Sequence, residues 1–484
     1  MERFILIAYF LKNKRSSSSI KLHFLLIIFL ILSACSKEDS GTIPSANSPK
    51  PEAIFTASVN ADGDLSVTNT SKNGSTYSWD FGDGKGTSSL QNPTYHYEKS
   101  GEYIITLNVS NSVENANSTQ KVTVAIVQKD ISEIDQLILN FLKKYNIPGA
   151  SLAIMKNEKL VYAKGLGLAN KETKESMTSN HRLRIASVSK TYAGLAILKL
   201  MEQRKLNIND KVFGAGAILG TKYGTKPYSI NLKSITVEQI LHNTSGAFVD
   251  NNGFQVININ EHLSDKDYMT WLLDNSFVNK TPGSAYYYNN CNYFVASIIV
   301  EELSRMTFYE YIKKNILDPI GDTNTFMAMN NGVNHPHEAK YYGQGNLINN
   351  IYDFNIERYK GGGAIVSNSI SLLKFASAFD GMPGRPDIIS TPLRTLLRET
   401  TALQTNWGLG VGVWDNRTYS YGSLPSTRAG WMIEPSTNIG AAIICNSNVD
   451  YTNVALDTEI VYAFQDLLVN IITINRNYQN IDQF

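Results

Sequence analysis

The chain is short of the residues that make metal proteins and disulfide frameworks. Cys35, Cys291 and Cys445 are its only cysteines in 484 residues, too few and too widely spaced for a set of bridges. Cys445 ends the apolar run 439–445, where a thiol reads as a buried, inert packing group. Seven histidines are scattered along the chain. Only His335 and His337 come close together, and two ligands on one loop do not make a metal centre; no metal and no cofactor is expected. An excess of one charge is missing too. With 44 basic against 43 acidic residues and a net charge of +1, nothing favours nucleic acid as a partner or electrostatic capture on a membrane. The apolar run 24–32 is too short to span a bilayer comfortably.

What is present begins with Lys12, Lys14, Arg15 and Lys21 ahead of that run, so residues 1–34 read as a secretory signal with a long basic region. The signal ends Leu32-Ser33-Ala34-Cys35, which resembles the bacterial lipobox. The resemblance implies that Cys35 is lipidated and becomes the mature N-terminus. Ser36-Lys37-Glu38-Asp39 resembles the acidic signal that sends some lipoproteins to the cell surface. The expected location is the outer membrane, periplasmic or surface-exposed, with acyl chains on Cys35 as the anchor and no transmembrane helix needed. The alternative is a cleaved, freely secreted protein. Residues 35–51, rich in Ser, Pro, Asn and Gly, read as a flexible tether.

From 52 to 127 the pattern changes to short alternating strands such as Tyr103-Ile104-Ile105-Thr106-Leu107-Asn108-Val109. Trp79 and Phe81 should alternate into a core, while Asp80, Gly82, Asp83 and Gly84 make a tight turn. The run Trp79-Asp80-Phe81-Gly82-Asp83-Gly84, with Pro93-Thr94-Tyr95-His96-Tyr97 after it, resembles the PKD repeat, a small all-β immunoglobulin-like sandwich. Such a module either recognises glycan or protein or acts as a rigid spacer, since fold does not fix function.

Residues 132–475 read as one α/β domain. Ala150–Ile154 and Leu160–Ala163 look like strands joined by Lys156-Asn157-Glu158-Lys159. Periodicity predicts helices over 293–303, 369–379 and 452–469, with strands over 407–414 and 439–445 near the end. At the centre stands Ser187-Val188-Ser189-Lys190. A helix starting near Ser187 puts residues i and i+3 on one face with Cβ atoms about 5–6 Å apart, so Ser187 and Lys190 can touch. The run after it (Ala193, Ala196, Ile197, Leu200, Met201, with Leu195 and Leu198 on the other sides) is apolar all round and predicts a buried helix. A hydroxyl at its start faces backbone N–H donors, and a desolvated lysine beside it loses pKa and can act as a neutral base. Spacing alone does not decide, because Ser-x-x-Lys recurs at Ser18/Lys21, Ser118/Lys121 and Ser371/Lys374.

Several motifs in order do decide. Ile147-Pro148-Gly149-Ala150, Ser187-Val188-Ser189-Lys190, Leu241-His242-Asn243-Thr244-Ser245-Gly246, Leu317-Asp318-Pro319-Ile320-Gly321, Gly361-Gly362-Gly363 with Val366-Ser367, and Trp407-Gly408-Leu409-Gly410 together resemble the serine β-lactamase and penicillin-binding-protein-like hydrolases, in their class C-like esterase and D,D-peptidase branch. The resemblance implies an antiparallel sheet flanked by helices, plus a helical subdomain. It makes Ser187 the nucleophile and gives the family's Tyr-x-Asn element at Tyr288-Asn289-Asn290, after Pro282-Gly283. Tyr287 offers a competing register, but Gly283 stands five residues before Tyr288. Tyr288 would share proton transfer with Lys190, and Asn290 would hold the substrate.

The third family element, Lys-Thr-Gly or His-x-Gly, is changed. Its place is taken by Ser420-Tyr421-Gly422-Ser423, and no lysine or histidine follows Lys374. Gly422 and the N–H of Ser423 can still complete an oxyanion hole with the N–H of Ser187. Arg428 is the candidate for the missing charge. The expected protein is a cell-envelope serine hydrolase acting through an acyl-serine on an ester, a D-amino-acid peptide or an amide, with a small molecule or peptide as its substrate. Against it stands a catalytically weak surface lipoprotein that binds peptidoglycan peptides or glycans.

Overall fold

A computed structural model describes residues 49–330, 335–347, 354–474 and 476–484. Cys35 and the signal ahead of it lie outside the described residues. Seven strands form the N-terminal module: β1 (Phe55–Val59), β2 (Asp64–Asn69), β3 (Thr76–Asp80), β4 (Thr87–Ser88), β5 (Thr94–His96), β6 (Gly101–Ser110) and β7 (Asn115–Val124). They pair as β1-β2-β5 and β4-β3-β6-β7, two facing sheets. Trp79 and Phe81 are both buried between them. The turn after them is built by carboxylates: Asp80 accepts from Gly82 N, and Asp83 accepts from Lys85 N and Gly86 N. Gly82 and Gly84 sit at positive φ, where glycine costs least.

The second region opens with α1 (Ser132–Lys144), β8 (Gly149–Lys156), β9 (Lys159–Asn170), β10 (Glu175–Ser176), β11 (Leu183–Arg184) and α2 (Ser189–Glu202). The helical layer follows: α3 (Ile230–Ser234), α4 (Val237–Leu241), α5 (Asp265–Asn275), α6 (Asn290–Ser304) and α7 (Phe308–Ile312). Then come β12 (Phe326–Met327), β13 (Ile365–Ser367), α8 (Ser369–Ser377), α9 (Thr391–Arg398), β14 (Gly412–Trp414), β15 (Arg417–Leu424), β16 (Thr427–Glu434), β17 (Ile439–Cys445) and α10 (Val454–Thr473). The main sheet is ordered β10-β9-β8-β17-β16-β15-β14, with β11-β13-β12 as a small second sheet. The first and last strands of the domain thus lie side by side, β8 against β17, antiparallel.

Both faces of the central strands are covered, so β16 and β17 are buried along their whole length, and alternation sorts their side chains. Met432, Ala441 and Ile443 meet Ile138 and Phe141 of α1 and Phe464 and Leu468 of α10. Trp431, Ala442 and Ile444 meet α2 and α8 on the other face. The strand expected over 407–414 is shorter, beginning only at Gly412. Gly410 turns away at φ 94, and a Cβ there would lie 2.4 Å from Lys190 O. A Cβ on Gly194 would likewise lie 1.9 Å from Leu409 O. The Trp407–Gly410 segment is therefore pressed against the backbone of α2, a contact only glycine allows.

The chain returns to the N-terminal module at its end. Asp482 N donates to Glu98 O (2.7 Å) and Gln483 N to Leu160 O (3.0 Å), while Arg385 holds Asp482 at 2.8 Å. Gln479 reaches Asp62 and Val127 O of the sandwich.

Candidate active site

The nucleophile's position follows from how α2 is entered. The chain leaves β11, makes one 3-10 turn at Ala186–Val188 and becomes α-helical only at Ser189. Ser187 is thus placed in the turn, two residues ahead of the regular helix expected from its sequence. Ala186 has φ 49, a left-handed backbone that costs a non-glycine residue roughly 1–3 kcal/mol. Strand β15 lies directly against this turn: a Cβ on Gly422 would stand 2.2 Å from Ile185 O and 2.9 Å from Ser187 N. Only a residue without a side chain lets the strand come so near and leaves the Ser187 N–H facing it.

Three groups converge on the serine and its lysine. Tyr288 OH donates to Ser187 Oγ at 2.6 Å, and Lys190 Nζ stands 3.1 Å from the same oxygen. Lys190 Nζ also donates to Asn290 Oδ1 (2.6 Å) and to Gly362 O (2.6 Å). Lys190 is fully buried. Burial holds its ammonium well below the usual lysine range, since a charge taken from water loses its hydration. As a neutral amine, Lys190 would keep its two N–H groups on Asn290 Oδ1 and Gly362 O and turn its lone pair to the Ser187 hydroxyl. Burial pushes the Tyr288 hydroxyl up, opposed by its bond to Ser187, so Tyr288 remains a proton donor.

The supporting loops explain the register. Asn289 caps α6, its side chain accepting from Cys291 N and donating to Ala247 O and Phe248 O, so it is turned away from the serine. Asn290, on the first turn, faces Lys190. Tyr287 is 40% exposed and its N–H is spent on Asn243 O. The 242–246 loop is the brace: Asn243 Oδ1 accepts from Asn289 N and Asn292 Nδ2, and Gly283 N donates to Thr244 O. Ser189 is also occupied elsewhere, with Oγ accepting from Ile365 N.

Ser187 opens into a cavity of about 570 Å³, lined by Asn290 and Gly362 on the helical side and by Ser423, Leu424 and Asp457 on the strand side. Phe354, Tyr359 and Tyr451 supply its aromatic surface. Of the residues expected to bind substrate, Asn290 and Ser423 line it, and Ser420, Gly422 and Arg428 do not. Ser420 is fully buried on the α2 face of β15, behind Gly422. Arg428 is neither on the surface nor in the cleft: its side chain is 4% exposed, with Nε donating to Asn448 Oδ1 (3.0 Å) and Nη2 to Asp457 Oδ1 (3.2 Å). Tyr421 points to the opposite face of the sheet, its ring against Phe464. Cys291 is buried against Tyr268 and its thiol is pushed up to about 12 by burial. His335 bonds Met327 O at 2.6 Å.

Gly362 O, Asn448 and Asp457 have parts in the site that their motifs did not announce. Gly362 could have been found from Gly361-Gly362-Gly363, because a glycine run beside a buried helix signals close backbone approach. A Cβ on Gly361 would indeed lie 2.7 Å from Ala193 Cβ. Asn448 and Asp457 carry no such signal.

Fold and site together resemble those of β-lactamases and penicillin-binding proteins. The Beta-lactamase family model matches residues 134–463 and a PKD domain model matches residues 42–126; the chain belongs to the β-lactamase family. It is 26% identical over 328 residues to Protein flp of Staphylococcus aureus (strain MRSA252), a match covering 66% of this chain and 63% of that protein. The chain thus spans less than two thirds of that relative's length. Its fold is similar to the octameric penicillin-binding protein homologue from Pyrococcus abyssi (TM-score 0.56, 20% identity, 71% of this chain and 78% of that one). It is also similar to D-amino acid amidase from Ochrobactrum anthropi SV3 (TM-score 0.55, 17% identity, 70% and 98%).

Proposed function

We propose that the protein is a cell-envelope serine hydrolase that cleaves esters or amides of small molecules or peptides through an acyl-Ser187 intermediate. The observation that carries this reading is the placement of Ser187 Oγ between Tyr288 OH at 2.6 Å and Lys190 Nζ at 3.1 Å. In acylation, neutral Lys190 takes the Ser187 proton as Oγ attacks the carbonyl carbon. The negative charge on the carbonyl oxygen is met by the N–H groups of Ser187 and Ser423. The leaving group departs with a proton delivered through Tyr288 and Lys190. Water then attacks the acyl-serine, returning the proton to Ser187. Asn290 fixes Lys190 and borders the substrate.

Labelling with a fluorophosphonate, followed by peptide mapping, tests the reading. The expected adduct is on Ser187 and is absent from Ser187→Ala; a wild-type protein that stays unlabelled at Ser187 would overturn it. That outcome would instead favour a binding lipoprotein, a reading motivated by the missing lysine or histidine of the third family element. The envelope location rests on the signal and lipobox pattern ending at Cys35. It predicts a membrane fraction that incorporates palmitate and loses the label in Cys35→Ala. The bonds between residues 479–484 and the N-terminal sandwich support a rigid spacer role for the PKD domain.

A further inference from the structure

We infer that the cleft selects acyl groups bearing a free ammonium, so that the substrates are aminoacyl amides or esters, and that Asp457 is the residue that selects them. This rests on the proposal that Ser187 is acylated.

Among the described residues, Asp457 is the one charged side chain on the cavity lining. It sits in the first turn of α10 and is 35% exposed, whereas its partner Arg428 is 4% exposed. An ion pair with its cation buried and its anion at the cavity wall presents its negative end to whatever enters. Arg428 cannot swing out to meet a substrate carboxylate without giving up its bonds to Asp457 and to Asn448 Oδ1, a costly exchange for a buried guanidinium. A substrate carboxylate would meet a carboxylate. A substrate ammonium would meet Asp457 together with the rings of Phe354, Tyr359 and Tyr451 on the same lining, and aromatic faces attract cations.

The carboxylate is also fixed relative to the reacting centre. Asn448 accepts from Arg428 Nε, while its Nδ2 donates to Ser423 Oγ (2.7 Å) and Leu424 O (3.1 Å). One network therefore ties the carboxylate on α10 to the strand end that follows Gly422, beside Ser187. Replacement of the family's cation by a buried arginine and a cleft-facing aspartate inverts the charge that the substrate meets.

The test uses the full chain and three p-nitroanilides of alanine, in both enantiomers, with the amine free, N-acetylated or N-succinylated. In the wild type kcat/KM is expected to be highest for the free amine and lowest for the N-succinyl compound. Asp457→Asn should lower the ratio of free-amine to N-acetyl kcat/KM by about tenfold, mainly through KM, and Asp457→Glu should restore much of it. Protection of Ser187 from fluorophosphonate by alanine amide should weaken in parallel, a readout that needs no turnover. An N-succinyl substrate used as well as the free amine would overturn the inference. So would an unchanged ratio and unchanged protection in an Asp457→Asn protein whose melting confirms that it is folded. If Ser187 takes no label, the acylation reading fails. Calorimetric binding of alanine amide against N-acetylalanine amide, in wild type and Asp457→Asn, then still decides the ammonium preference.

Discussion

The cleft has two walls of different character. On the helical wall, Ser187 in the turn before α2, Lys190 on α2, Tyr288 in the loop before α6 and Asn290 on α6 are joined by hydrogen bonds. On the strand wall, β15 and β16 hold the residues that replace the family's third element. There the expected charge has moved into the interior, where Arg428 bonds Asn448 and Asp457. The two walls are constrained differently. Bond making needs a serine, a base and a proton donor within about 3 Å of one another, and burial enforces that geometry. Charge selection needs only a suitable group somewhere on the rim, so it can change while the chemistry stays.

The helical wall should give the largest effects. Ser187→Ala is expected to lower kcat by at least about 10³-fold, because no other group can carry the acyl chain. A residual esterase rate within tenfold of wild type would move the chemistry away from this wall altogether. Lys190→Met and Tyr288→Phe should each cost on the order of 10²–10⁴ in kcat/KM, the usual range for a positioned acid or base.

The pH dependence sharpens the assignment of the base. Lys190 is held well below the usual lysine range by burial, so it is neutral above that depressed value, and kcat/KM should fall as pH drops through it. Stability follows the same sign. Between the depressed value and about 10.5 the unfolded chain binds a proton that the folded chain does not, so stability rises with pH across that window. In Lys190→Met this rise should disappear from urea unfolding measured at a series of pH values; persistence of the full slope would assign it to another group.

The strand wall acts first through its backbone. Gly422→Ala places a methyl group 2.2 Å from Ile185 O, so β15 must shift, at roughly 1–3 kcal/mol of stability. Displacing the Ser423 N–H should also lower kcat by about 10²-fold, the effect of losing one oxyanion donor. A drop in melting temperature with kcat intact would remove Ser423 N–H from the mechanism.

The same division explains what was legible in the sequence. The helix after Ser187, the register Tyr288-Asn289-Asn290 and the buried run 439–445 could be read because each is set by local periodicity or a dense motif. The PKD turn at 79–84 could be read because Asp and Gly serve a tight turn in recognisable ways. The entry of Ser187 through a strained 3-10 turn was not legible, since the helical pattern runs unbroken across 187–201 and the close packing of β15 against the turn at Gly422 is a tertiary contact. Nor was the fate of Arg428. Its partners lie 20 and 29 positions away, on a loop and a helix whose placement depends on the whole sheet. Asp457 looks in sequence like an acidic residue at a helix start, a common arrangement, and only the cavity gives it a second meaning.

The smallest expected effect is the sharpest test of how the strand wall is divided. Ser420 was a candidate for substrate binding, yet it is fully buried, and its hydroxyl has no hydrogen-bond partner among the described residues. A buried hydroxyl without a partner costs roughly 1–3 kcal/mol. Ser420→Ala should therefore leave stability unchanged or raise it by about 1 kcal/mol, with kcat/KM within twofold of wild type for neutral and amine-bearing substrates alike. Chemical denaturation and steady-state kinetics on one preparation suffice. A loss of more than about tenfold in kcat/KM with stability preserved would mean that the hydroxyl reaches the reacting centre during turnover. The strand wall would then contribute side-chain chemistry as well as backbone and charge.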